Sequence, residues 1–330
     1  MKKDIYIFNS GELKRKDNTI CFESSEGKKY LPIENINNLW IFGEVELNKR
    51  FLDFASENGI LIHFFNFYGY YTGTFYPREH LNSGFVILKQ AEHYLDNEKR
   101  IKLARKFVEG AVENLLVVLK YYKNRGYELE DEIDDIKNKK EGIYSSQDVE
   151  TLMSFEGNIR DIYYKCFDKI TKKEEFAFEK RSRRPPLNKM NSLISFGNSL
   201  LYTTVLGEIY QTQLDPRIGY LHSTNNRRFT LNLDVAEIFK PSIVDRVIFS
   251  LVNKNVLSSK DFDKQLNGIV LNNSGKKKFI EEYNKKLETV LKYTKLNAFV
   301  SYKRLIRLEL YKVQKHITED EEYQPFVARW

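Results

Sequence analysis

The stretch ILIHFFNFYGYYTGTFYPREHLNSGFVILKQAEHYLD (60–96) changes its hydrophobic period halfway along. Up to Tyr76, β-branched and aromatic residues gather in two short runs, ILIHFF (60–65) and YYTGTFY (70–76), separated by turn residues from Asn66 to Gly69. Beyond Pro77 the apolar residues recur at helical spacing. The same two patterns extend outward on either side. Toward the N-terminus lie IYIF (5–8), TICFE (19–23), KYLPI (29–33) and LWIF (39–42), punctuated by Asn9-Ser10-Gly11, Asp17-Asn18 and Glu26-Gly27. A single helix interrupts them, NKRFLDFASENG (48–59), with Phe51, Leu52 and Ala55 on one face and Gly59 at its end. Toward the C-terminus, helical period covers 82–95, 97–125, 146–172, 190–213, 230–253, 275–294 and 301–317. Gly126, Gly142, Pro216 and Pro241 act as breakers, GIVLNNSG (268–275) reads as a hairpin, and 127–145 reads as a solvated helical face. The expected fold class is therefore α+β. A small β-rich domain (1–80) is followed by a connector (81–96) and a larger all-α domain (97–330).

Bulk properties narrow the function. Forty-two per cent of the 330 residues are hydrophobic, enough for a sizeable core. Two cysteines far apart, Cys21 and Cys166, exclude a disulfide framework and a cysteine-built zinc site. The N-terminal MKKDIYIFNSGEL has no apolar signal region, and no apolar run reaches the length of a membrane span, so a soluble cytoplasmic protein is expected. Residues 1–80 hold 10 basic and 11 acidic side chains, so the net charge of +7 leaves +8 for the remainder. A positive field on the helical part favours polyanions, nucleic acid first.

Two clusters carry chemistry. In the helix entered through Ser145-Ser146, the residues Val149, Leu152, Met153, Ile159, Tyr163, Phe167 and Ile170 make one apolar stripe, and Glu156 interrupts it. A carboxylate there must be protonated, ion-paired or bound to a metal, and Arg160 at i+4 offers the ion pair. The second cluster is GYLHSTNNRRFTLNLDVAEIFKP (219–241), with His222, Arg227, Arg228, Asp234 and Glu237. Asp234 and Glu237, at i and i+3, suit a helix N-terminus, but they also repel one another, and a divalent cation relieves that repulsion. Imidazole plus carboxylates without thiolate suits Mg2+ or Mn2+ rather than structural zinc. No phosphate-cradling glycine loop is present, which argues against a hydrolase of small phosphorylated substrates.

Five blocks resemble the CRISPR-associated spacer-acquisition integrase family, the Cas-one family. They are FGEVELNKRFLDFASENGILIHFFNFYGYYTGTFYPREHLNSG (42–84), SFEGNIRDIYY (154–164), KRSRRPPLNKMNSLISFGNSLLYTTVLGEIYQTQLDPRIGYLHS (180–223), LDVAEIFKPSIVDRVIF (233–249) and SYKRLIRLELYKVQKHI…EEYQPFVARW (301–330). The resemblance implies a β domain joined to a helical catalytic domain, a homodimer, and a CRISPR-associated Cas-two partner bridging two dimers. It also implies a divalent-metal site, Mg2+ or Mn2+, on Glu156, His222 and Glu237, with Asp234 as a supporting carboxylate. The implied reaction is attack of a DNA 3′-hydroxyl on a phosphodiester of the CRISPR repeat, or hydrolysis when water is the nucleophile. On this resemblance the Glu156–Arg160 ion pair is set aside. Double-stranded DNA would be gripped by Arg181, Arg183 and Arg184 before Pro185-Pro186, and by Arg227 and Arg228 after His222. The alternative is a non-catalytic nucleic-acid-binding scaffold whose acids make structural ion pairs.

Overall fold

The computed structural model describes every residue except Met1, Glu79, His80, Asn82, 225–228, Thr294, Lys295 and Trp330. Arg227 and Arg228 thus lie outside the described residues. The chain forms two compact units, residues 1–81 and 82–330.

The first unit contains β1 (Lys3–Ile7), β2 (Gly11–Lys16), β3 (Thr19–Ser24), β4 (Gly27–Pro32), β5 (Ile36–Ile41), β6 (Val45–Leu47), α1 (Lys49–Glu57), β7 (Leu61–Phe65) and β8 (Tyr71–Phe75). They make two four-stranded sheets, ordered β1-β5-β7-β8 and β4-β3-β2-β6. Leu13, Ile20, Leu39, Phe51, Ala55 and Ile62 are fully buried between them and α1. All six strands expected from sequence form, but β2 and β6 are additional. In β2, GELKRK, Leu13 alone is fully buried, and Arg15, two positions on, covers the core through the Phe54 ring, so its strand period is hidden under polar side chains.

The second unit begins with α2 (Gly84–Leu95), α3 (Asn97–Lys123), α4 (Glu130–Ser145), α5 (Val149–Thr171) and α6 (Lys189–Ile209). There follow α7 (Leu231–Phe239), a π-helical turn (Pro241–Asp245), α8 (Arg246–Asn253), β9 (Phe262–Gln265), β10 (Gly268–Leu271) and α9 (Asn273–Glu288). A hairpin of β11 (Val290–Tyr293) and β12 (Ala298–Ser301) leads into α10 (Tyr302–Ile317). The span 81–96, read as a connector, holds α2, a helix of this unit that packs on α3 and α10. The hydrophobic α6 is buried nearly all round, as a helix apolar on every face must be.

Several boundaries differ from the sequence expectation for identifiable reasons. The N-cap of α5 is Asp148, whose carboxylate accepts from Thr151 N at 2.7 Å, while Ser145 and Ser146 finish α4. Met153 is 38% exposed and falls off the buried stripe. Gly142 does not break a helix; it lies within α4, where Phe155 of α5 packs on its bare backbone. Pro241 does not end its helix either: lacking an N–H, it opens a wide turn closed by Asp245 N donating to Lys240 O at 3.1 Å, and the helix resumes as α8. The hairpin is β9–β10, ending at Leu271 because Asn272 caps α9. That helix stops at Glu288, and 290–293 pair as a strand.

Candidate metal centre

Three pieces of the second unit meet at one place. Helix α5 contributes Glu156, Arg160, Tyr163 and Tyr164; the loop ahead of α7 contributes His222; α7 and its wide turn contribute Asp234, Glu237, Lys240 and Asp245.

The loop is held by Asp234, which is fully buried. Its Oδ2 accepts from the amides of Tyr220 at 2.6 Å and Leu221 at 3.0 Å, and its Oδ1 from the amide of His222 at 2.9 Å. Three successive N–H groups thus enclose one carboxylate. Close approach requires Gly219, because a Cβ there would stand 2.9 Å from Asp234 Oδ2 and 2.7 Å from the Thr230 carbonyl carbon. From outside, the loop is moored by α2 and α3. Gln90 bonds Asp215 in both directions at 3.1 and 2.7 Å, and Arg100 Nε donates to Tyr220 O at 3.1 Å.

Asp234 Oδ1 also receives the His222 ring at Nδ1, 2.8 Å away. A carboxylate oxygen only accepts here, so Nδ1 carries the proton and the neutral ring keeps its lone pair on Nε2. Burial pulls the His222 pKa down, but the hydrogen bond and charge of Asp234, with the charge of Glu237, outweigh it and leave it raised. Asp234 therefore positions the imidazole, in the manner of carboxylates behind metal-bound histidines.

Glu156 does form the ion pair that the sequence reading sets aside. Its Oε1 accepts from Arg160 Nε at 3.0 Å and Nη2 at 2.9 Å. The same Nη2 donates to Glu237 Oε2 at 2.5 Å, so the two carboxylate oxygens are at most 5.4 Å apart, the sum of 2.9 and 2.5 Å. Glu237 Oε1 is taken by Lys240 Nζ, which also lies 4.9 Å from the centre of the Tyr202 ring. Burial works to raise the Glu237 pKa, yet Lys240, Arg160 and His222 together hold it down at about 2. Behind this cluster burial lifts Asp245 to about 7, with Arg160 opposing. Among the described residues no three His, Cys, Asp or Glu side chains close on one point as a ready-made metal site. The guanidinium of Arg160 stands between the two glutamates instead. The donor set nevertheless fits a divalent ion: one imidazole with a free Nε2 and two carboxylates already converging on a single cationic group.

The expected DNA-binding arginines fare differently. Arg181 is turned into the protein, donating to Ser182 O, Asn191 Oδ1 at 2.9 Å and Ser195 Oγ at 3.1 Å. It ties the 180–188 segment to α6, which the sequence alone does not distinguish from phosphate binding. Arg183 and Arg184 are exposed on that segment. Tyr163 and Tyr220 are wholly buried, as core packing requires. Sequence reasoning missed Lys240, Gln90 and Asp245; the i+3 spacing of Lys240 from Glu237 was the available signal.

The family model described as CRISPR associated protein Cas1 matches residues 5–285. The chain is 60% identical over 330 residues to a protein named CRISPR-associated endonuclease Cas1 2 from Thermodesulfovibrio yellowstonii, covering 100% of each. A solved CAS1 protein from Thermotoga maritima is 50% identical, covers 99% of this chain and 100% of its own, and superposes with a TM-score of 0.89. A casposase solved bound to an integration product shares the fold at 21% identity, with a TM-score of 0.88 over 99% of this chain and 93% of its own.

Proposed function

Since the chain belongs to the Cas1 family of CRISPR-associated proteins, we propose that it is a divalent-metal-dependent DNA endonuclease and integrase that inserts spacers into a CRISPR array. The observation that carries this reading is the convergence of Glu156 and Glu237, from separate helices, on one nitrogen beside an imidazole locked by Asp234. Proteins of this family bear the name endonuclease, and the distant relative of the same fold was solved with an integration product.

In this reading Glu156, His222 and Glu237 hold Mg2+ or Mn2+. Bound there, the ion supplies Lewis-acid polarisation of a phosphodiester. The protein supplies the rest. Asp234 keeps the His222 Nε2 lone pair directed outward by fixing Nδ1–H. Lys240, buried against Tyr202, adds a fixed positive charge beside Glu237, where a phosphate oxygen would otherwise meet a carboxylate. Burial of Glu237 and Lys240 keeps competing water from their charges. Attack by a DNA 3′-hydroxyl gives strand transfer, and attack by water gives cleavage.

The DNA substrate is double-stranded, gripped by Arg183 and Arg184, with Arg227 and Arg228 as further candidates. The working assembly is a homodimer formed through the β-rich first unit, with a Cas-two partner bridging two dimers. The proposal is tested with labelled spacer and repeat DNA in Mn2+. Glu156→Ala, His222→Ala and Glu237→Ala should each abolish strand transfer and cleavage while leaving DNA binding intact. Activity surviving in any of the three removes that residue from the site.

A second reading, a non-catalytic nucleic-acid-binding scaffold, draws on the ion pairs that Arg160 and Lys240 make with the two glutamates. It predicts no metal-dependent cleavage by the wild-type protein.

A further inference from the structure

Arg160 spends only part of its guanidinium on the glutamates. Nε and Nη2 are engaged, while Nη1 is buried without a hydrogen-bond partner among the described residues. Two further buried polar atoms lack a well-formed hydrogen bond, Asp245 Oδ2 and the Tyr163 hydroxyl, although these two side chains lie close enough to interact with one another. Asp245 is 1% exposed and Tyr163 fully buried, so neither can turn to water. All three are electrostatic neighbours: Asp245 acts on both Arg160 and Tyr163, and Arg160 on both of them. Arg160 Nη1 is a buried donor and Asp245 Oδ2 a buried acceptor, neither with a well-formed hydrogen bond, and such groups are normally satisfied in some state of the molecule.

The guanidinium also stands where a divalent ion would have to bind. Of the two glutamates Lys240 bonds only Glu237, through Oε1, whereas Arg160 holds an oxygen of each. An ion shared by Glu156 and Glu237 therefore displaces Arg160 and then repels it. The displaced charge needs an anionic partner within the protein, and the carboxylate of Asp245 is on hand.

We propose that Arg160 is a resident cation with two stations. Without a divalent ion it bridges Glu156 and Glu237; with one bound it withdraws to Asp245, beside Tyr163, and the Asp245 carboxylate receives it. Asp245 is then a positioning residue that sets metal affinity without touching the metal. The inference rests on the reading of Glu156, His222 and Glu237 as metal ligands. It has a structural logic in the fold: Pro241 forces the wide turn, and that turn carries Asp245 inward at its end.

The test is a double-mutant cycle on the full-length protein, titrating Mn2+ alone by calorimetry, with thermal melts to verify folding. The four proteins are wild type, Asp245→Asn, Arg160→Met and the double variant. With Arg160 present, Asp245→Asn should weaken Mn2+ binding about tenfold or more, the range seen when groups behind metal ligands are altered. With Arg160→Met, which removes the competing cation, binding should be as tight as wild type or tighter, and adding Asp245→Asn should change it less than about twofold. Equal losses in both backgrounds, or no loss in either, overturn the proposal while leaving the metal site standing. No Mn2+ binding by the wild type removes the metal site, and the proposal with it. Should Asp245→Asn fail to fold, 15N NMR of the wild-type arginine side chains decides. The Arg160 Nε–H signal, assigned by its loss in Arg160→Met, should shift on saturation with Mg2+; an unmoved signal at saturation overturns the proposal.

Discussion

Asp234 and His222 meet at 2.8 Å through Oδ1 and Nδ1, and the same carboxylate holds the three amides that precede and include the histidine. One buried acid thus both builds the loop and fixes the tautomer of the ring it presents. Asp234→Ala leaves those donors unsatisfied in the interior, at about 1–3 kcal/mol for each that stays unpaired. It should lower the melting temperature and weaken Mn2+ binding about 10- to 100-fold. Asp234→Asn, which keeps one accepting oxygen, should fall between. Equal melting temperatures for wild type and Asp234→Ala would remove the loop-building role.

The C-terminal tail is stitched into the helical unit by Asn114 of α3, which donates to Phe326 O at 2.8 Å and accepts from Ala328 N at 2.9 Å. Gly110, one turn earlier, makes room for the tail: a Cβ there would stand 2.5 Å from Pro325 Cβ and 3.3 Å from Ile238 Cγ1. Gly110→Ala should therefore destabilise by about 1–3 kcal/mol despite alanine's better helix propensity. A melting temperature raised by the substitution would show that the tail does not pack there.

Asp261 offers a pH signature away from the active region. Burial raises its pKa, but Lys278 Nζ at 2.7 and 2.8 Å, Ser258 N and Ser274 Oγ outweigh burial and leave it below its ordinary 3.8. A carboxylate with a depressed folded-state pKa stabilises above its unfolded pKa and loses that contribution as pH falls through the folded value. The stability gap between wild type and Asp261→Asn should be full above about pH 5 and shrink progressively below pH 3.8. A gap constant from neutral pH to the acid limit contradicts the assignment.

DNA binding should weaken linearly in log–log terms with salt, because phosphate contacts release counterions. Arg183→Ala with Arg184→Ala should flatten the slope by about 1–2 units, whereas Arg181→Ala should act mainly on stability, since its guanidinium is bonded to Asn191 and Ser195. Binding isotherms at several salt concentrations check this, and an unchanged slope in the double variant takes that segment out of the DNA surface.

Much of the architecture was legible because period and punctuation agree with burial. The change of period near Pro77 falls at the division between the two units, and α5 and α6 follow their apolar patterns. What escaped was non-local. The strand β2 is held by its neighbours rather than by its own composition, and Pro241 is accommodated by a wide turn that is buried along its whole length. In the candidate site, the resemblance points to Glu156, His222 and Glu237 as ligands, whereas the local i+4 rule points to an ion pair, and Arg160 does pair with Glu156. Sequence spacing alone does not reveal that this arginine reaches Glu237, 77 positions away, since that depends on how α5 meets α7.

Anomalous diffraction from crystals of the full-length protein soaked in Mn2+ decides whether Glu156, His222 and Glu237 hold one divalent ion. A single strong manganese peak is expected within roughly 2.0–2.3 Å of His222 Nε2 and of one oxygen from each glutamate. No peak at millimolar Mn2+, with Arg160 still bridging Glu156 and Glu237, would contradict that assignment.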